Sequence, residues 1–348
     1  MIRRRLRLPK TLLWLLIPLP ALFIGLRHAQ PVMGGLRVID VVAAIPEAGG
    51  FQPDSIQVQA GEKVLLRFHA QDVAHGVAIG PGLGVDLGDV EPGQTKSVVL
   101  TFDEAGTFTF YCNLWCSPNH WRMRGVIDVM ERDGALVSTA ATVEHDPVID
   151  ALIAEGVDID ANVHDNGHSG GNAVPAMQDV PRPSAARGAA LAQSLVVPSQ
   201  LQDQNWRRTH TPRQGKAALA AANPRTGDQE LADLAAFLWV ADGAPDRLDQ
   251  AKNLYAKNCT ACHGESGGGD GTAAGFAPQL PASLSDPERM LDRRPDVLYA
   301  KIRRGGMGTG MPNFGTLFTP EETWSLVDFV WRLAVGDPGG DSALPPAP

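Results

Sequence analysis

The stretch FYCNLWCSPNHWRM, residues 110–123, decides how the first half of the chain is interpreted. It holds two cysteines four residues apart, Cys112 and Cys116, and then His120 and Met123. Thiolate, imidazole and thioether groups are the ligands that soft metal ions such as copper prefer. Four such side chains within one short segment therefore indicate a metal site in a loop.

The residues around this loop predict short strands separated by turns. SIQVQ at 55–59 alternates polar and apolar side chains, KVLLRF at 63–68 runs on as a strand, and TFTFY at 107–111 leads into the loop. Short strands with glycine and proline between them are typical of an all-β sandwich of roughly 100 residues. We therefore expect a sandwich from about residue 35 to residue 130.

A histidine upstream of the loop extends the ligand set. A mononuclear copper site would use one cysteine, two histidines and a methionine, and His75 in DVAHGVAIG supplies the missing histidine. Cys112 is then left over, so the two thiolates can instead bridge two copper ions, each capped by one imidazole. Met123 and the backbone carbonyl of Trp115 would fill the remaining positions. A Cys2His2 zinc site and a Cys112–Cys116 disulfide are alternatives that leave Met123 unexplained.

The segment 35–130 resembles the binuclear CuA domain of cytochrome c oxidase subunit II and of nitrous oxide reductase. DLGDVEPGQ at 86–94 also resembles the turn that follows the first histidine in that family. The resemblance implies a cupredoxin-like sandwich that holds a binuclear copper centre, CuA. Its implied ligands are His75, Cys112, Trp115 through its carbonyl, Cys116, His120 and Met123.

One position departs from the oxidase pattern. Oxidase subunits usually carry a glutamate between the two cysteines, which helps to bind a metal ion at the contact with the catalytic subunit. Trp115 stands at that position here, as an aromatic residue does in nitrous oxide reductase. An indole cannot replace a carboxylate ligand to Mg²⁺. The usual interface metal of those oxidases is therefore not implied for this chain.

A second motif, CTACHG at 259–264, indicates covalently attached haem. In CxxCH, two thioethers from Cys259 and Cys262 anchor the haem, and the adjacent His263 is an iron ligand. The segment resembles class I cytochrome c, which implies haem c with Met311 of MPNF as the other iron ligand; Met307 is the alternative. The resemblance also implies that the carbonyl of Pro278 accepts the N–H of the axial histidine.

The N-terminus predicts a membrane segment. MIRRRLRLPK is basic, and residues 11–26 that follow are uncharged and mostly apolar. Positive charge before an apolar segment places the N-terminus in the cytoplasm and the rest of the chain outside it. We expect an uncleaved anchor in the cytoplasmic (inner) membrane with periplasmic domains, and a cleaved secretory signal is the alternative.

The remaining regions complete the domain plan. Residues 131 to about 200 are rich in Ser, Gly, Asn, Pro and Asp, which favours a linker. DLAAFLW near residue 235 is similar to SLVDFVW in the last helical pattern of the chain, so it resembles the closing helix of a second cytochrome c fold without a CxxCH motif. The plan is an N-terminal anchor helix or signal segment (1–30), an all-β cupredoxin CuA domain (31–135), a linker with a haem-less cytochrome remnant as one interpretation (136–245), an all-α cytochrome c domain (246–337) and a disordered tail (338–348).

The combined resemblance is to subunit II of a cytochrome c oxidase fused to a cytochrome c. It implies a subunit that does no bond chemistry and passes electrons from a soluble cytochrome c or similar donor through haem c and CuA to a membrane haem–copper catalytic subunit I. A CuA-containing nitric oxide reductase and a freestanding tethered shuttle are the alternatives. The net charge of −9 argues against nucleic acid as a partner. Tethering would make the encounter of the two centres intramolecular without a tight interface.

Overall fold

The computed structural model describes residues 32–33, 36–117, 119–131, 146–160, 181–241, 245–306 and 309–335. A β-sandwich is followed by a helical unit, as the sequence predicts. The predicted anchor at 1–30 and tail at 338–348 lie outside the described residues. Within the described ranges, none of the helices is both long and apolar enough to cross a bilayer.

The described strands form two five-stranded sheets. Their bounds are β1 (Val32–Met33), β2 (Leu36–Ala43), β3 (Phe51–Gln52), β4 (Ser55–Gln59), β5 (Lys63–Ala70), β6 (His75–Gly80), β7 (Val85–Val90), β8 (Thr95–Thr101), β9 (Gly106–Tyr111) and β10 (Arg124–Met130). One sheet has the order β1-β2-β5-β8, with β3 paired to β2, and the other has the order β4-β10-β9-β6-β7. β5 runs parallel to β2, and β10 runs parallel to β4.

The core of the sandwich follows from the alternation in its strands. In β5, every second residue from Val64 to Ala70 is fully buried, whereas the residues between them are partly exposed. Rings of Phe51, Phe68 and Phe110 meet in the centre with centroids 5.1–6.1 Å apart. Such aromatic pairs each add about 0.5–1.5 kcal/mol beyond the burial of their area. The loop that carries the cysteines is thus fixed to a rigid support.

Strand β6 is buried on both faces, and this places the copper-type ligands beside the helical unit. Val77 and Ile79 belong to the core of the sandwich, whereas Ala78 packs with the apolar cluster of the helices. A Cβ atom added at Gly80 would lie 2.4 Å from the backbone oxygen of Leu317, so only glycine allows this close approach. The helical unit therefore covers the outer face of β6.

Eleven helices are found in the described part of the chain. They are α1 (Pro147–Ala154), α2 (Ala185–Leu191), α3 (Ser199–Gln202), α4 (Gln204–Thr209), α5 (Pro212–Ala222), α6 (Asp228–Val240), α7 (Pro245–Asn258), α8 (Thr260–His263), α9 (Pro287–Leu291), α10 (Pro295–Arg304) and α11 (Pro320–Val335). The last helix, α11, packs against α6, α7 and α10. One apolar cluster joins these helices, so they share a single core.

Residues 181–241, which the sequence assigns to a linker with a cytochrome remnant, form helices α2 to α6. Every residue of α6 from Leu231 to Val240 is buried, because α2, α5 and α11 cover it on different sides. A helix buried all round belongs to a core. This segment is therefore part of the helical unit, and the similarity between DLAAFLW and SLVDFVW marks two packed helices.

Candidate functional site

Four elements of the sandwich bring the metal-type ligands together. His75 opens β6, Cys112 directly follows β9, His120 begins a short 3₁₀ turn, and Met123 directly precedes β10. Because β6, β9 and β10 lie in one sheet, their ends meet at one edge. His75, Cys112 and Met123 are at most 5% exposed, so this part of the site is screened from water.

The distances between the ligand atoms fit metal coordination. Sγ of Cys112 lies 3.9 Å from Nδ1 of His75, and Sγ of Cys116 lies 3.6 Å from Nδ1 of His120 and 3.8 Å from Sδ of Met123. Metal–sulfur and metal–nitrogen bonds of about 2.3 and 2.0 Å put two ligands of one tetrahedral ion roughly 3.6 Å apart. Ligand atoms of His75, Cys112 and Cys116 also lie within 4.8 Å of one another. The predicted side-chain ligands are thus adjacent, with His120 beside Cys116 and His75 within reach of both thiols.

Asp72 is a site residue that the sequence analysis missed. Its Oδ1 accepts a hydrogen bond from Nε2 of His75 at 2.8 Å, and its Oδ2 accepts one from the backbone N–H of Ile45 at 2.7 Å. Protonation at Nε2 leaves the lone pair of Nδ1 free to bind metal. The signal that could have revealed it is a carboxylate three residues before the predicted ligand.

The two thiols of the site differ in acidity. A hydrogen bond from Cys116 lowers the pKa of Cys112, and the same pairing together with burial raises the pKa of Cys116 to about 12. Burial acts to lower the pKa of His75, but hydrogen bonds with Cys116 and Asp72 outweigh it and raise that pKa. Metal ligands bind in their deprotonated forms, so metal binding to these thiols is coupled to proton release.

The loop between β9 and β10, residues 112–123, carries four of the predicted side-chain copper ligands and is called the copper-type loop. Trp115 connects this loop to the helical unit. Its ring centroid lies 5.7 Å from that of His120 and 6.0 Å from that of Phe276. Phe276 belongs to the segment that follows the CxxCH motif and is otherwise exposed. The predicted ligand role of the Trp115 carbonyl stays a prediction.

The CxxCH residues form a compact second site. Cys259 precedes α8, and Cys262 and His263 lie within it. Burial raises the pKa of both thiols, that of Cys259 to about 12. Burial lowers the pKa of His263, against the raising effect of its hydrogen bond to a backbone carbonyl. A neutral imidazole beside two free thiols fits thioether attachment and iron ligation.

The acceptor for the axial histidine differs from the sequence prediction. Nδ1 of His263 lies 3.1 Å from the backbone oxygen of Ala282, not from that of Pro278. The acceptor therefore lies four residues after Pro278. The side chain of Pro278 lies 2.7 Å from where a Cβ of Gly310 would be. Pro278 therefore packs beneath the segment that begins at Met311.

The segment from Met311 to Phe314 is held at both ends. The backbone oxygen of Met311 accepts from the N–H of Gly306, and the N–H of Phe314 donates to the oxygen of Ile302. Gly305 has a φ of 81° and leaves no room for a Cβ beside Met311. This places the predicted iron ligand Met311 opposite the 277–282 segment, whereas the alternative Met307 lies outside the described residues.

The two domains are in direct contact beside their sites, which differs from the expected tethering without a tight interface. Nη1 of Arg124, the residue after Met123, donates to the backbone oxygen of Asn313 at 2.6 Å. Lys257 of α7 pairs with Asp86 of β7. Glycine and alanine in β6 allow this approach, because they present no bulky side chain to the helices.

The comparisons with known proteins support the two-domain organisation. Residues 34–127 match the family described as Cupredoxin-like domain, and residues 246–330 match the family described as Cytochrome C oxidase, cbb3-type, subunit III. The first match covers the sandwich with its metal-type ligands, and the second begins in α7 and ends in α11. These matches confirm the predicted fold of both domains.

Curated relatives cover only part of the chain. Cytochrome c oxidase subunit 2 from Thermus thermophilus is 34% identical over 84 residues, which is 24% of this chain and 61% of the relative. Cytochrome c oxidase subunit 2 from Alkalihalophilus pseudofirmus is 34% identical over 100 residues, 29% of this chain and 26% of the relative. This chain thus spans less than two thirds of the length of these relatives.

Among solved structures, a heme-copper terminal oxidase dimer is 22% identical and covers 30% of this chain and 67% of its own, with a TM-score of 0.24. That likeness is too low to bear on function. The family matches give the conclusion: residues 34–127 are similar to the cupredoxin-like family, residues 246–330 are similar to cytochrome c domains of the cbb3-type subunit III kind, and part of the sequence is similar to cytochrome c oxidase subunit 2.

Proposed function

We propose that this protein is the electron-entry subunit of a respiratory haem–copper oxidase. Electrons would pass from a soluble donor to haem c, then to binuclear CuA, and then to a membrane catalytic subunit that reduces O₂. The observation that carries the proposal is the direct contact between the two domains, next to the ligand sets that each domain carries. Arg124, next to Met123, binds Asn313, which lies two residues from Met311. A chain that only stored metal would not need this contact.

The donor set favours two copper ions over one. Two thiols and two imidazoles lie together: Cys112 is 3.9 Å from His75, Cys116 is 3.6 Å from His120, and His75 also reaches Cys116, while Met123 adds a thioether beside Cys116. Bound copper and haem c each supply one-electron redox chemistry. The residues themselves hold the ligands in place: Asp72 orients His75, and Ala282 orients His263.

One observation favours a second candidate, the same role in a CuA-containing nitric oxide reductase. Trp115 replaces the carboxylate that oxidase subunits usually provide, and its ring packs between His120 and Phe276. At this position the chain therefore has an aromatic contact between its own domains, where an oxidase subunit would have a carboxylate ligand. For either function we propose that residues 1–30 anchor the protein in the cytoplasmic membrane, with both domains on the periplasmic side.

A purification in mild detergent tests the proposal. The full chain with a C-terminal tag is isolated from membranes of its natural host, and the eluate is assayed for donor-driven consumption of O₂ and of NO. We expect O₂ uptake together with a haem-rich membrane partner. Consumption of NO alone would support the reductase, and an eluate with neither activity nor partner would contradict both and leave a tethered shuttle.

Asp72→Asn is expected to lower the copper affinity by about 10–100-fold, because an amide does not bind and polarise the Nε2–H of His75 as a carboxylate does. Competition with a copper chelator measures the affinity. Asp103→Asn, an exposed carboxylate beyond β8, is the matched control and should leave it unchanged. Equal copper affinities for the two variants would show that Asp72 does not support copper binding by His75.

Met311→Ala is expected to abolish the low-spin spectrum of methionine-ligated haem while the haem stays attached, because the thioethers of Cys259 and Cys262 remain. Magnetic circular dichroism or EPR measures the spin state of the haem iron. Met307→Ala is the control and should keep the wild-type spectrum. The reverse result, with only Met307→Ala altered, would move the ligand to Met307.

A further inference from the structure

Arg124 lies at the junction between the two sites, in a position that neither ligand set requires. It follows Met123 directly and begins β10. Its Nη1 donates to the backbone oxygen of Asn313 at 2.6 Å and lies 3.4 Å from the Oδ1 atom of that residue. The guanidinium also lies 5.9 Å from the ring centroid of Phe314. One side chain thus holds two consecutive residues of the segment that carries Met311.

Further contacts keep this junction in one arrangement. The ring of Trp115 meets that of Phe276 on the other side of the copper-type loop. Gly80 approaches the backbone of Leu317 so closely that a Cβ would collide with it. These contacts lie on different strands and loops, so they define the orientation of the two domains and not merely one point of contact.

The charge of Arg124 is not neutralised by a neighbouring acid. Within the part of the chain that the structure describes, no carboxylate lies within ion-pair distance of its guanidinium, and its partners are neutral oxygens and a ring. The phenol of Tyr111, at the end of β9, is buried beside it. A partly buried positive charge is screened less than one in water, so it acts on nearby redox groups.

We propose that Arg124 is a positioning residue that fixes the Met311 segment against the copper-type loop and whose positive charge stabilises the reduced state of both metal centres. The inference rests on the proposed function, because it assigns the two centres to one electron path. A cation favours the state with less positive charge on the metal, so both reduction potentials are higher with Arg124 than without it.

The test compares Arg124→Gln, Arg124→Lys and Arg67→Gln in the full-length haem-bearing protein. Arg67 is an exposed arginine on β5 that pairs with Asp40 at 2.6 Å, so it is the matched control for loss of an arginine charge. Two quantities are measured: the haem reduction potential by spectroelectrochemical titration, and hydrogen exchange of the backbone amides in residues 309–318.

In Arg124→Gln we expect a shift of about tenfold in the one-electron equilibrium toward oxidised haem, equal to a drop of about 59 mV, and faster exchange in 309–318. Arg124→Lys should keep most of the haem reduction potential, because lysine keeps the positive charge. Its backbone amides in 309–318 should exchange faster than in wild type, because lysine lacks the planar guanidinium group. Arg67→Gln should match wild type in both measurements.

Wild-type potential and exchange in Arg124→Gln would overturn the inference. A change in potential that Arg124→Lys shares in full would show that charge is not the cause, and would overturn that part. Copper content is determined on the same samples: a chain that binds no copper would refute the proposed function, whereas the haem potential and the exchange rates would still decide the role of Arg124.

Discussion

Cys112→Ser is expected to reduce the copper content from the two ions per chain that we propose to one or none. Cys112 is the thiol paired with His75, at 3.9 Å between Sγ and Nδ1, and it is only 5% exposed. Serine is nearly the same size, so the fold should persist, but a hydroxyl is a poor ligand for soft copper. If Cys112 bridges two copper ions as proposed, its loss should therefore dismantle the two-copper site without unfolding the sandwich.

The residual site after this change can be anticipated from the distances. Cys116 remains within 3.6 Å of His120 and 3.8 Å of Met123, which are the ligands of a mononuclear cysteine–histidine–methionine site. Metal analysis and EPR of the purified protein measure the number and coupling of the copper ions. Cys116→Ser is the comparison, and it should lose more copper, because Cys116 has contacts with two other ligands.

Full copper content and an unchanged two-copper EPR spectrum in Cys112→Ser would contradict the bridging role. The zinc alternative makes a different prediction. Protein produced without added copper would then contain zinc, and substitution of either cysteine or either histidine would abolish zinc binding. Circular dichroism of each variant separates loss of metal from loss of fold, since the strands of the sandwich do not include either cysteine.

The local parts of both sites were predictable from the sequence, because their residues lie close together along the chain. Cys112, Cys116, His120 and Met123 fall within one loop, and the alternation of the strands predicts the sandwich that supports it. His75 was found from the motif as well, whereas Asp72 was missed because a carboxylate in a turn has no distinctive pattern. Its role depends on the rotamer of His75, which only the packed structure fixes.

Contacts between distant segments could not be predicted. Arg124 and Asn313 are 189 positions apart, and no periodicity connects them. The acceptor of His263 was placed at Pro278 because the family resemblance fixes a motif but not the path of the following loop, which brings Ala282 to the histidine instead. The helices of 181–241 were also not predicted as part of the helical unit, because the residues before 200 have the polar composition of a linker. The similarity of α6 to α11 did indicate a helix after that region.

Asp146→Ala is expected to destabilise the helical unit by about 3–5 kcal/mol, because it leaves a buried arginine without its counter-charge. Asp146 and Arg303 are 5% and 1% exposed, and Nε of Arg303 lies 2.6 Å from Oδ2 of Asp146. The same oxygen accepts from the hydroxyl of Tyr299 at 2.8 Å, and Oδ1 accepts from the N–H of Val148 as the N-cap of α1. One substitution thus removes an ion pair, a buried hydrogen bond and a helix cap.

Thermal and denaturant unfolding followed at a helix-specific signal measure this loss. Asp146→Asn should lie between wild type and Asp146→Ala, because the amide oxygen can keep the cap and the hydrogen bond from Tyr299 but not the charge. Asp150→Ala, an exposed carboxylate on the same helix, is the control and should change stability by about 0.5 kcal/mol or less. Equal stability of Asp146→Ala and Asp150→Ala would mean that α1 does not anchor to α10 through this pair, and the segment 146–160 would then be a linker as the sequence composition suggests.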